Sequence, residues 1–179
     1  SPLFPTIENN SYIGDATYKN CILKTEDYKI NADYQKDLFY SITKNIIPKF
    51  NDLKIYITRT RASERPTSIY DNMFKKLGFI ILNPSSNSFI SDLEYYKSAR
   101  IIAGIDGTGL HNVGFMQHPN RYMIELKHRS TRFLPENKGL AKGQLFFNWF
   151  NNVPYTVIPC FKLSFGEIEN EVKKILNEL

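Results

Sequence analysis

The stretch Ala99-Arg-Ile-Ile-Ala-Gly-Ile-Asp-Gly-Thr-Gly-Leu-His-Asn-Val-Gly-Phe-Met116 is compatible with few folds. A short apolar run, Ile101 to Ala103, stops at Gly104. Asp106, Gly107, Thr108 and Gly109 follow, and an apolar stretch resumes at Leu110. That order reads as a buried strand, a tight glycine loop and the start of a helix. In an open α/β sheet, ligands bind at the carboxyl ends of the strands. Glycines there let the backbone approach a ligand closely, and the free N–H groups of the next helix favour an anion such as a phosphate.

The flanking sequence alternates in the same way. Leu38, Phe39, Ile42, Ile46 and Ile47 recur at helical spacing within a segment from Asp33 to Ile47 that Pro48 stops. Leu53 to Thr58 reads as a strand, Ser68 to Leu77 as a helix closed by Gly78, and Phe79 to Leu82 as a second strand. Ser88 or Ser91 caps a helix through Ala99, Ile101 to Ala103 is the third strand, and Leu110 to Met116 a short helix. Arg121 to Leu126 is the fourth strand, followed by a polar loop from Lys127 to Gly139 and a helix from Leu140 to Phe150. Tyr155 to Ile158 is the last strand and Phe165 to Leu179 a terminal helix. Strands separated by helices of this length imply right-handed crossovers and a mostly parallel, Rossmann-like sheet with helices on both faces. The first 30 residues show little periodicity beyond a candidate strand at Asn20 to Thr25.

The 179 residues suffice for one core-forming domain, and a composition 42% hydrophobic and 23% charged is that of a soluble globular protein. No apolar run approaches the roughly 18 residues of a membrane span. No signal-peptide pattern opens the chain, so a cytoplasmic location is expected. The formal charge of +5 comes from lysines spread along the chain, not from one block. That pattern argues against nucleic acid and fits an anionic small molecule or peripheral contact with an acidic membrane surface. Cys21 and Cys160 read as reduced and internal. His118, His128 and the cysteines lack metal-ligand spacing, and no P-loop or nucleophile elbow is present, so no metal and no cofactor are expected. Trp149 and its aromatic neighbours read as core.

Several residue types carry chemistry. Arg59, Arg61 and Arg65 follow the first confident strand, where guanidinium forks hold phosphate oxygens in pairs or simply form a solvated basic loop. The glycine spacing, G-x-x-G-x-G, departs from the dinucleotide fingerprint and argues against NAD, leaving ligand approach or a plain tight turn. Asp106 and His111 can each serve as a general base, or as a helix cap and an ordinary helix histidine. Glu125 closes an otherwise apolar strand, where a carboxylate needs a partner: ribose hydroxyls, or a nearby Lys or Arg.

Three blocks taken together resemble glycosyltransferase family 61, found in bacterial polysaccharide synthesis and in eukaryotic O-linked N-acetylglucosaminyl- and xylosyltransferases. These are Ile55 to Arg59 with the basic residues through Arg65; Leu77-Gly-Phe79 with the strand and helix after it; and Ala103 to Met116 with Met123-Ile-Glu-Leu126. They cover roughly residues 53–127. The family usually has His where this chain has Asp106 and Ala where it has Thr108, and its Asn-Glu pair is not evident near Thr67 and Ser68. The resemblance implies the C-terminal, donor-binding half of a two-Rossmann (GT-B) enzyme at residues 51–179. Residues 1–50 would then be an N-terminal segment belonging or leading to an acceptor domain. It also implies metal-independent, inverting transfer from a nucleotide-sugar, UDP-linked, to a glycan or protein hydroxyl. Arg59, Arg61 and Arg65 would hold the diphosphate, Gly107, Thr108, Gly109, Leu110 and Asn112 the nucleotide, and Glu125 the ribose. Asp106 and His111 are the candidate catalytic groups. The departures equally allow an inactive nucleotide-sugar-binding module or an α/β interaction domain.

Overall fold

The computed structural model describes residues 11–13, 16–18, 34, 36–48, 50–58, 67–84, 86–129, 139, 144, 148 and 151–179. Five strands form one parallel sheet: β3 (Leu53–Ile57), β4 (Ile80–Leu82), β5 (Ala99–Ile105), β6 (Tyr122–Leu126) and β7 (Tyr155–Ile158). A separate antiparallel pair, β1 (Ser11–Ile13) and β2 (Ala16–Tyr18), precedes them. Strands of three residues are too short to carry a visible alternation, so neither stands out in the sequence. The candidate strand at Asn20 to Thr25 lies outside the described residues, as do Cys21 and Trp149.

The sheet order is β4-β3-β5-β6-β7, so β4 stands on one side of β3 and every later strand on the other. Pleating divides the apolar residues between two cores. Tyr56, Ile101, Ala103, Ile105, Ile124, Leu126 and Ile158 face Met73 and Phe74 of α2 (Asp71–Lys76) and Ile168, Val172 and Ile175 of α4 (Phe165–Glu178). Ile55, Ile57, Ile102 and Met123 face Leu93 and Tyr96 of α3 (Phe89–Ser98) and Leu110, Val113 and Phe115 of a 3-10 helix, Thr108–Phe115. A strand buried on both faces reads as the continuous apolar run seen in β5. The expected mostly parallel α/β sheet with helices on both faces is the architecture observed.

Caps account for the helix starts. Ser88 Oγ accepts the Ser91 N–H at 3.2 Å, which settles the choice between the two serines in favour of Ser88. At α4, Ser164 and Glu167 form a reciprocal capping box, with the Ser164 N–H donating to Glu167 Oε2 at 2.7 Å.

Two expectations need correction. The third strand does not stop at Gly104 but runs through it to Ile105. A side chain at Gly104 would meet Leu110 Cδ2 at 3.1 Å, so the glycine makes room for the 3-10 helix above it instead of ending the strand. The short helix expected after the loop is present, as a 3-10 helix. The helix before Pro48, α1 (residues 36–43), buries Thr43 and packs Phe39 inward while Leu38 and Ile42 stay exposed, as does Ile47 beyond it. Its inward side includes a hydroxyl because Thr43 Oγ1 donates to Phe39 O at 2.9 Å and accepts from Gln117 Nε2 at 2.8 Å.

Candidate active site at the carboxyl edge of the sheet

With this strand order the chain's direction across the sheet reverses between β3 and β5, and their neighbouring carboxyl ends are where such sheets place a crevice. Register sets Ile57 beside Gly104, so the chain leaving β3 at Thr58 starts next to the loop leaving β5. Arg59, Arg61 and Arg65 follow Thr58 in sequence and lie outside the described residues.

The β5 loop is held from several sides. The Asp106 N–H donates to Leu126 O at 3.1 Å, continuing the sheet ladder one residue past the strand. Gly107 then takes φ 151°, a backbone state that side-chain-bearing residues rarely adopt. Its carbonyl accepts the Leu110 N–H at 3.0 Å. Asn112 Nδ2 donates to Gly109 O at 2.9 Å and to the Tyr96 hydroxyl at 3.2 Å, tying the loop to α3. Leu110 is buried beneath it, and its carbonyl accepts from Gln144 Nε2 at 3.1 Å. Thr108 is exposed, and Gly107, Gly109 and His111 are half-buried. Asp106 through Asn112, seven of the expected site residues, therefore form one braced loop.

Glu125 lies across from Gly104 on β6. Its carboxylate is ion-paired with the Lys127 ammonium. The lysine partner that the sequence allowed is present in contact. Residues two apart on a strand share a face, so the pairing has a period-two signature. Both groups are almost solvent-free, Glu125 1% and Lys127 0% exposed, and Asp106 is 4% exposed. Burial raises the Glu125 pKa and the Asp106 charge adds to the rise, while Lys127 opposes both.

On the opposite face, Tyr70, Asp71, Thr58 and Cys160 gather at the same edge. Burial raises the Asp71 pKa against the hydrogen bond with Thr58. Cys160 is a free thiol, pushed by burial up to about 11, with Tyr70 as its hydrogen-bond partner and Asp106 close enough to add to the rise. His128 sets its ring against Tyr70 at 5.4 Å between centroids. Sequence reasoning passed over Lys127, Gln144, Thr58 and Tyr70. Only Lys127 left a signal, its spacing from Glu125. Among the described residues no cluster of His, Cys, Asp or Glu is arranged to hold a metal ion, and no helix is long and apolar enough to cross a membrane.

Fold and edge together define a parallel α/β domain that presents a glycine loop at its topological switch point. The family model described as Glycosyltransferase 61 matches residues 10–123, more than half of the chain, and the matched segment contains β3, β5 and the whole loop. The chain belongs to glycosyltransferase family 61. No curated protein sequence matches it.

Proposed function

We propose that this domain binds the nucleotide-sugar donor, UDP-linked, of an inverting glycosyltransferase and holds its diphosphate at the switch point between β3 and β5. The observation that carries the reading is the adjacency of two chain exits. The segment leaving β3 enters Arg59, Arg61 and Arg65, and beside it β5 leaves into Asp106-Gly-Thr-Gly109.

In this scheme the acceptor hydroxyl oxygen attacks the anomeric carbon while a base on the loop removes its proton. The bond from that carbon to the diphosphate breaks, and its electron pair goes to the departing phosphate oxygen. Guanidinium groups and loop N–H groups neutralise that charge, so no metal is required. Asp106 and His111 are the base candidates, with His111 the more open to solvent. Thr108 and the Gly107 and Gly109 backbone approach the nucleotide, while Leu110 and Asn112 hold the loop in shape. Glu125 spends its carboxylate on Lys127, so we assign it to the loop's support and not to the ribose. The acceptor is a hydroxyl of a glycan or protein, and the work is done in the cytoplasm, at or near a membrane.

A second reading is favoured by the burial of Asp106 against the Glu125–Lys127 pair: donor binding without transfer. A thermal-shift panel of nucleoside diphosphates and their sugars, with release of the diphosphate followed in parallel, separates the two. A ligand held only by the folded state at 100 times its Kd stabilises by about 2.7 kcal/mol. UDP and a UDP-sugar raising Tm is the expected result, and Arg59→Ala cancelling most of that rise places the diphosphate. A melting temperature indifferent to every nucleotide overturns the donor reading. Stabilisation without release across acceptors selects the binding module.

A further inference from the structure

We propose that Lys127 is a positioning residue that sets the charge of the strand edge beneath the donor's diphosphate. The proposal rests on the donor reading above and extends it to a residue just past the family-matched segment, which ends at Met123.

Asp106, Glu125 and Lys127 sit at the ends of two neighbouring strands. The β5–β6 register pairs Gly104 with Glu125 and Ile105 with Leu126. The backbone bonds Asp106 N–H to Leu126 O and Lys127 N–H to Ile158 O carry the ladder one residue further. Alternation then puts all three side chains on the face that carries the 3-10 helix. None is more than 4% exposed. With all three ionised the cluster holds one net negative charge, and without Lys127 it holds two. A buried charge left without its counterion is far more costly than a pair removed together. The loop above this cluster is where an anionic diphosphate is to rest, so the ammonium decides how strongly the edge repels its own ligand.

Among the described residues, the other titratable groups near the cluster include Tyr155, Cys160, Tyr70 and His128. Tyr155 on β7 lies near Glu125, whose charge adds to the burial that raises its pKa. Cys160, beyond β7, feels Asp106, and Tyr70, bonded to that thiol, stands with His128 on the far side. The tyrosines and the thiol stay neutral between pH 6 and 8.5. Imidazoles in general change charge near that range, so His111 and His128 are controlled for. The titration is therefore repeated on a His128→Gln background and a His111→Gln background.

The test is UDP affinity, with GDP and CDP as alternative probes, measured by calorimetry from pH 6 to 8.5 and always compared with the unsubstituted chain at the same pH. That comparison removes the titration of the nucleotide itself. Lys127→Met binds about tenfold to hundredfold more weakly at pH 8.5, the cost of one more negative charge within about 8 Å at an effective dielectric near 20. The deficit shrinks as the pH is lowered, because burial and the Asp106 charge raise the Glu125 pKa and the substitution removes the Lys127 contact that opposes them. Lys127→Met combined with Glu125→Gln also restores it, and binds within about threefold of the unsubstituted chain at both ends of the range.

A purely structural lysine would not produce a pH-dependent deficit, nor rescue by a second substitution. Equal affinity of Lys127→Met and the unsubstituted chain at every pH overturns the proposal, as does a double variant as weak as the single one. A deficit whose pH dependence disappears on either histidine background also overturns it. Should Lys127→Met not fold, Lys127→Arg and the double variant decide: both near the unsubstituted affinity supports the proposal, and a tenfold loss in the double variant overturns it. An unsubstituted chain that binds no nucleoside diphosphate instead rejects the donor reading, and this proposal with it.

Discussion

Gly107 carries the bend by which the chain leaves β5, at φ 151°, and its carbonyl starts the following 3-10 helix through Leu110. Gly107→Ala forces a side chain into that backbone state at a cost of about 1–3 kcal/mol. Calorimetric unfolding should show Tm falling by about 2–10 °C for a chain of this length. An unchanged Tm would mean that the loop has other conformations at no cost. At this scale the sequence spoke clearly about residue types and poorly about their surroundings. Gly107, Gly109 and Asp106 were legible as a turn at the carboxyl end of a strand. The near-complete burial of Asp106 was not, because the groups near it, Glu125 and Leu126 of β6 and Cys160 beyond β7, lie far along the chain. Glu125 was legible only as a carboxylate in need of a partner. Lys127, two positions on, was the readable answer, and the polar loop expected to begin there obscured it.

Among the elements, α1 shows how a helical pattern can be right in kind while its orientation is not visible. The spacing of Leu38, Phe39, Ile42, Ile46 and Ile47 was that of an amphipathic helix, yet Phe39 and Thr43 turn inward. Phe39 sets its ring edge-on to Phe115 at 4.7 Å, directly over Gly114, where an added Cβ would lie 2.6 Å from the ring. Lys97 Nζ donates to Thr43 O at 2.8 Å and to Ile46 O at 2.7 Å, closing the carboxyl end of the helix. The polar partners Lys97 and Gln117 are remote in sequence, so no periodicity shows them. Gly114→Ala should therefore dislodge α1. Amide exchange of residues 36–43 is expected to speed up at least tenfold, and Phe39→Ala added to Gly114→Ala should recover part of the global stability lost by the single variant. Unaltered exchange in Gly114→Ala would show that α1 does not depend on this contact. The strands of the parallel sheet were legible to within a residue or two at their ends because each is an apolar run bounded by polar residues. The largest departure is at β5, two residues longer at each end, where a glycine inside a strand reads as its end.

For the molecule as a whole, the alternation of strands and helices dictated a parallel α/β sheet, since each parallel connection needs a crossover. The order β4-β3-β5-β6-β7 was not contained in that alternation, because short apolar runs carry no information about which neighbour they choose. That order creates the switch point and brings the exit of β3 beside the loop after β5. The central claim is a diphosphate held there, and backbone amide shift mapping during a UDP titration tests it most directly. The account predicts saturable shifts concentrated at Thr58 and at Asp106 through Asn112, with the amino-terminal ends of β3 and β5 unmoved. Shifts centred elsewhere, or none at saturating UDP, would contradict it.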